Sequence, residues 1–272
     1  MALYMNGQEI SQSSGVPISG ATKPYIEEIY NSDGQLISAN MHGYDAIRSY
    51  MFSDCPNLAL NSLPNSITSI GKYAFQNCTN LALNSLPSGI TSIGSNAFSG
   101  CTNLALTSLP SSITSISSYT FYSCSNLALT SLPSGITSIG LGAFLNCSKL
   151  ALTSLPSGIT SIGNNAFYSC TKLALTSLPS GLTSIGRDAF YHCPNLALIS
   201  LPSGLTSIGN NAFEKCTGLT SITFTGTPTS IGNNAFSSCT NLTTINVPWA
   251  NGAVANAPWG ATNATINYGY TG

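Results

Sequence analysis

Nine cysteines recur at a spacing that never changes: Cys55, Cys78, Cys101, Cys124, Cys147, Cys170, Cys193, Cys216 and Cys239 follow one another every 23 residues. Thiols serve as nucleophiles, metal ligands or disulfide partners, and the spacing discriminates among these roles. A structural zinc site needs ligands paired as in CxxC, and no two cysteines lie closer than 23 residues, so no metal is expected. A nucleophilic cysteine must be exposed and its thiolate stabilised. His192 adjoins Cys193, but every cysteine follows a phenylalanine by three residues, from Phe52 to Phe236. That shared register puts the thiols beside a buried ring and leaves His192 facing solvent. His42 lies in another part of the chain, and residues 73–148 contain no Asp, Glu, Lys, Arg or His. The convergence of ionisable groups that catalysis requires is missing, so neither an enzyme nor a cofactor site is expected. Stacked cysteines would sit about 4.8 Å apart, inside the Cα range of a disulfide, but equivalent side chains on stacked coils point in parallel and nine is an odd number. Free thiols packed as small hydrophobes are the expectation.

The elements that position these residues follow from the same period. A Leu lies three residues after every Cys, and the fullest unit, CTNLALTSLPSGITSIGNNAF, recurs from about residue 47 to 248. If a unit buried about six large apolar side chains at roughly 1.5 to 3 kcal/mol each, the gain would fall short of a backbone ordering cost of about 1 to 2 kcal/mol per residue. One coil cannot fold alone, so neighbours must stack into a quasi-one-dimensional array whose ends need covering. Within a unit, LALTSLP begins with period-two alternation and then slips, which predicts a short strand with a bulge near Thr-Ser. Prolines such as Pro133 and Pro156 would remove a ladder donor inside a strand and therefore mark a corner. GITSIG forms the return, and its last glycine (Gly71, Gly94, Gly140, Gly163, Gly186, Gly209, Gly232) is read as a positive-φ turn residue. NNAF predicts a turn of 3₁₀ or α-helix with Ala and Phe inward.

These residues resemble the BspA-like class of leucine-rich repeats, whose units combine a GxxAFxxCxxL block with an SIxxIG return. The end units CTGLTSITFTGTPTSIGNNAF and CTNLTTINVP are closest to that pattern, with apolar positions three, six and eight after Cys. The middle units depart from it, with Leu at three, five and eight. The resemblance implies a leucine-rich-repeat solenoid, a right-handed superhelix of about nine 23-residue coils with a parallel β-sheet and short helical or 3₁₀ turns. It also implies a surface-exposed, secreted or phage-associated binding protein, extracellular or virion-associated. Two other roles stay open: a structural spacer that makes contacts through its ends, and ice binding through exposed rows such as Thr130-Ser131, Thr153-Ser154 and Thr176-Ser177.

Before the array, Asn6-Gly7 and Asp33-Gly34 each lie between candidate strands, a hairpin signal, and residues 1–46 read as a capping segment. Residues 249–272 read as a second cap, with Trp249, Trp259, Ile266, Tyr268 and Tyr270 over the last coil. Only 6% of the chain is charged, against roughly 25% in ordinary domains, and the net charge is -1. No electropositive surface for nucleic acid or anionic lipid is expected from that balance, no stretch suits membrane insertion, and the first twenty residues lack a signal-peptide core. A partner, protein or glycan, must read what varies from coil to coil. Two residues before Cys the chain carries Tyr122, Leu145, Tyr168 and Tyr191, flanked by His192 and Lys215. At about 4.8 Å per coil these form an aromatic stripe about 14 Å long, the candidate binding site.

Overall fold

The computed structural model describes residues 3–5, 8–10 and 24–271. Its strands are β1 (Leu3–Met5), β2 (Gln8–Ile10), β3 (Tyr25–Tyr30), β4 (Leu36–His42), β5 (Ala46–Ile47), β6 (Ser69–Ile70), β7 (Ser92–Ile93), β8 (Ser115–Ile116), β9 (Ser138–Ile139), β10 (Ser161–Ile162), β11 (Ser184–Ile185), β12 (Ser200–Leu201), β13 (Ser207–Ile208), β14 (Ser221–Phe224), β15 (Ser230–Ile231), β16 (Thr244–Val247) and β17 (Thr265–Tyr268). They build a parallel-sheet solenoid of about ten turns. No helix occurs among the described residues.

The main ladder runs through the Ser-Ile pairs of the return, in register Ser161↔Ser184 and Ile162↔Ile185 and so on through the array. This corrects the expectation that LALTSLP would carry the strand. Because the middle units slip out of alternation, that segment stays irregular and makes one amide rung per coil, such as Ala151 N–H to the Leu129 carbonyl at 3.1 Å. Where the sequence alternates properly, in TSITFTG and TTINVP, it does form strands: β14 and β16, with Ile222, Phe224, Ile245 and Val247 inward, make a second parallel sheet flanked by the two-residue β12 of the preceding coil and by β17.

The glycine expectation is also corrected. The SIG glycines do not have positive φ. They are required by close approach: a Cβ at Gly71, Gly94, Gly140, Gly163, Gly186, Gly209 or Gly232 would lie 2.3 to 2.7 Å from backbone of the preceding coil. The one coil with Ser117 at this position shows the consequence. The return ladder breaks there, into β5-β6-β7 and a six-stranded sheet beginning at β8. The Ser117 hydroxyl donates to the Ile93 carbonyl at 3.0 Å, where Gly94 and Gly140 use their amides on the equivalent Ile70 and Ile116 carbonyls. The rings Phe98 and Phe121 across this seam are 5.7 Å apart, the widest step in the phenylalanine column, which elsewhere runs at 5.3 to 5.5 Å.

The phenylalanine column is continuous from Phe52 to Phe236, fully buried, with adjacent planes within 12°. These are offset-stacked distances, each worth about 0.5 to 1.5 kcal/mol beyond area burial. Beside it runs the thiol column. Each Cys from Cys78 to Cys239 donates its S–H to the carbonyl of the Phe in the preceding coil, at 2.9 to 3.1 Å. Most of these Phe carbonyls also accept the N–H of the Cys in their own coil, as in Cys78 to Phe75 at 3.1 Å. Cysteine therefore fits the slot as a small apolar group that still offers a weak donor. All nine thiols are free. Burial pushes them up, Cys78, Cys193 and Cys239 to about 12, so the thiolate is withheld at neutral pH.

At the N-terminal end β3 and β4 pair antiparallel around Asp33-Gly34, with Gly34 at φ 73°. β4 continues the stack, since Ala59 N–H donates to the Ile37 carbonyl at 2.9 Å as its counterparts do one coil on. β1 and β2 also pair antiparallel; the Asn6-Gly7 pair between them lies outside the described residues. At the other end β17 pairs with β16, and the Trp259 carbonyl receives the Phe236 N–H at 2.9 Å. Trp249 and Trp259 are buried against Phe224.

Two outcomes are expected. Gly163→Ala should lower stability by about 1 to 3 kcal/mol in urea unfolding, since an inserted methyl meets backbone that cannot step aside. Ser117→Ala should cost less, about 1 kcal/mol, because the seam already accommodates a Cβ and only a hydroxyl bond is lost. Equal losses at the two positions would contradict the close-approach account. In a native thiol titration Cys55, which is half-buried and outside the Phe-carbonyl ladder, should react first. The other eight should react only as the protein unfolds.

Candidate functional site

The segment expected to be helical is instead a strip of turns with left-handed residues at two fixed positions. The residues five before and one before each Cys have φ between 53° and 77°: Asn165 and Ser169 in the Cys170 coil, Asp188 and His192 in the Cys193 coil, Asn211 and Lys215 in the Cys216 coil. Only Gly100 and Gly142 among these positions are glycine. Left-handed geometry costs a non-glycine residue roughly 1 to 2 kcal/mol, and what sustains it here is hydrogen bonding between coils. The N–H groups five, three and one residues before Cys all donate forward to the next coil. Asn165, Phe167 and Ser169, for example, bond the Arg187, Ala189 and Tyr191 carbonyls at 2.8 Å each. The set of three recurs at all eight interfaces from Cys55 to Cys239.

This strip fixes where the variable side chains go. Phe and Ala point inward, while the residue before Cys and the residue two before Cys project outward between rungs. The structure thereby brings Tyr122, Leu145, Tyr168 and Tyr191 into one column on successive coils, their carbonyls each receiving an amide from the coil before. Tyr122 is exposed, and Leu145, Tyr168 and Tyr191 are half-exposed. Tyr168 and Tyr191 stack face to face, centroids 4.5 Å apart and planes 9° apart. The Lys215 ammonium lies 4.8 Å over the Tyr191 ring and donates to its hydroxyl. That bond to Tyr191 raises the Lys215 pKa. Exposed His192 meets Tyr191 edge-on at 6.5 Å. Asp188 accepts from Arg187 at 3.0 Å and from Asn211 at 3.0 Å.

Sequence reasoning missed how the charge is distributed. After Lys72 the charged residues are Lys149, Lys172, Arg187, Asp188, Glu214 and Lys215, and they occupy four consecutive coils. Lys149 and Lys172 stand two residues after Cys on adjacent rungs, beside a hydroxyl ladder in which Thr171 donates to the Ser148 carbonyl at 3.3 Å. Arg187–Asp188 is the ion pair present among the described residues, so Lys149, Lys172 and Lys215 are without a carboxylate partner there. The balancing carboxylates are remote in sequence: six of the eight acidic residues fall within the first 54. The net charge of -1 therefore hides a stretch in which four cations stand against two carboxylates. A tally of charge by coil, rather than over the chain, exposes it from sequence.

The other candidates do not converge. His42, on β4, stacks on Tyr25 at 4.4 Å, and no group of three His, Cys, Asp or Glu that could hold a metal occurs among the described residues. Thr130-Ser131, Thr153-Ser154 and Thr176-Ser177 are exposed but lie in the irregular segment rather than on a flat sheet. The threonines that do line the return sheet spend their hydroxyls on the preceding coil, as Thr206 does on the Thr183 carbonyl at 2.9 Å.

The BspA type Leucine rich repeat region matches residues 45–174 and 142–256, in six copies. Among solved structures, the T. pallidum leucine rich repeat protein is 24% identical with a TM-score of 0.46, covering 80% of this chain and 87% of its own. A leucine rich cell surface protein from Faecalibacterium prausnitzii A2-165 is 22% identical with a TM-score of 0.41, covering 93% and 97%. A leucine-rich repeat protein from Eubacterium ventriosum ATCC 27560 is 22% identical with a TM-score of 0.46, covering 84% and 79%. No curated protein matches. With the 23-residue coil, the buried Phe and Cys columns and this match over most of its length, the chain belongs to the BspA-type leucine-rich-repeat family.

Proposed function

We propose that the protein is a non-enzymatic binding or adhesion protein of a cell or virion surface, and that the turn strip of the Cys124 to Cys216 coils makes the contact. The observation that carries this reading is the concentration of chemically distinctive side chains on one strip of an otherwise uniform scaffold. Across most coils the exterior is Ser, Thr, Asn and Gly, whereas Tyr122, Tyr168, Tyr191, His192 and Lys215 occupy neighbouring outward positions. Tyrosine combines apolar area with a hydroxyl and a small ordering cost, which is why it is enriched at interfaces. The stacked pair Tyr168 and Tyr191 is also pre-ordered by Lys215, so less side-chain freedom is lost on binding.

Replacing Tyr122, Tyr168 and Tyr191 together by Ser should abolish attachment to host-cell or glycan-coated surfaces. The melting temperature should fall by only about 2 to 4 °C, the equivalent of roughly 1 kcal/mol in a chain of this size, because the rings lie outside the core. Undiminished attachment by the triple variant would defeat this reading and favour a spacer whose ends make the contacts.

A further inference from the structure

We infer that the partner of the Cys147 to Cys216 coils is an acidic polysaccharide, a chain carrying carboxylate or sulfate groups at regular intervals; the inference rests on the binding reading above and specifies its chemistry. Three observations lead to it. First, Lys149, Lys172 and Lys215 have no carboxylate partner among the described residues, and the cations of the Cys147 to Cys216 coils outnumber Asp188 and Glu214 there. Asp188 is already engaged by Arg187 and Asn211, which leaves Glu214 as the one nearby carboxylate without such a partner. Unpaired exposed cations on a chain this poor in charge present a local positive field to an approaching anion.

Second, the cations repeat with the scaffold. Lys149 and Lys172 hold the same position on adjacent coils. Adjacent coils are a strand spacing apart, about 4.8 Å, so a partner lying along the array meets like groups at a constant pitch. A regular polymer supplies charge in that manner, and a folded protein epitope does not.

Third, Tyr168 and Tyr191 cover each other's faces at 4.5 Å and 9°. Tyr191 has Tyr168 stacked on it and the Lys215 ammonium 4.8 Å over its ring, which leaves it little open π face on which a neutral sugar ring would lie. The surface is built for hydrogen bonding and charge pairing rather than for stacking.

The test uses the whole chain and a fluorescein-labelled heparin oligosaccharide as probe, with uncharged dextran, poly-L-glutamate and duplex DNA of equal length as comparisons. Heparin should bind more tightly than all three, and its affinity should fall steeply as salt rises. The combined variant Lys149→Gln, Lys172→Gln, Lys215→Gln should lose roughly tenfold or more, and its slope of log affinity against log salt should flatten by about 2 to 3. Lys72→Gln, outside these four coils, should change neither. Equal heparin affinity in wild type and combined variant overturns the inference. So does binding to poly-L-glutamate or DNA as tight as to heparin, which would assign these coils to another class of polyanion. If heparin does not bind while attachment still depends on the three tyrosines, this inference fails and the binding reading stands. If neither occurs, both fail.

Discussion

The forward-pointing amides of the turn strip are the constraint on which the rest depends. Two residues per coil are held in the left-handed region, and the geometry this creates aims three N–H groups out of the coil toward the next one. A coil in isolation would bear the conformational cost and leave those donors unpaired, so its structure exists only as part of a stack. Several features follow from this directly. The residue whose carbonyl receives the Phe amide is buried against the neighbouring coils and is small, Ala in seven coils and Thr120 in one. The Phe carbonyl ties the same two coils together a second time, since Phe144 accepts the Cys170 S–H from the next coil besides the N–H of Cys147 in its own. The direction of the bonds also makes the two ends chemically different. The first coil ends the array with acceptors and the last with donors, and the buried Phe236 N–H of the last is received by the Trp259 carbonyl.

The repeat, the Phe and Cys columns and the parallel solenoid were legible in the sequence because period-23 identity at apolar positions has one physical solution, a stack in which like layers on like. The hairpin around Asp33-Gly34 was legible for a local reason, a turn that glycine alone satisfies cheaply. What could not be read was which segment of the coil would become strand. LALTSLP has more apolar residues than ITSIG, and burial was the signal used, but backbone pairing depends on an unbroken alternation over successive residues. Leu at positions three and five after Cys satisfies burial, and the exposed Thr or Asn at six breaks the ladder. The SIG glycines illustrate a similar limit. Their spacing identified them as special, and only the neighbouring coil, 23 residues away in sequence, explains why: the missing Cβ makes room for its backbone, as the seam at Ser117 demonstrates.

The candidate site was legible in part for the converse reason. Against a monotonous background, departures stand out, and the column Tyr122, Leu145, Tyr168, Tyr191 with His192 is placed by the fold on adjacent outward positions. The stacking of Tyr168 on Tyr191 and the seating of Lys215 over the latter depend on side-chain geometry that no spacing reveals. A scaffold whose core and backbone bonding are fixed by Phe, Cys, Ala and the left-handed positions leaves the residue two before Cys free to change without loss of fold, and this freedom is what makes a repeat surface suitable for recognition.

Native-state hydrogen exchange resolved to single amides tests the central claim most directly. Asn165, Phe167 and Ser169 lie in a non-helical surface turn, where unpaired amides would exchange almost at once. If their N–H groups bond the Arg187, Ala189 and Tyr191 carbonyls of the next coil, they should exchange only through sub-global or global unfolding, as slowly as the core amides of the return sheet. Rapid exchange at these three positions, with the sheet amides still protected, would contradict the account.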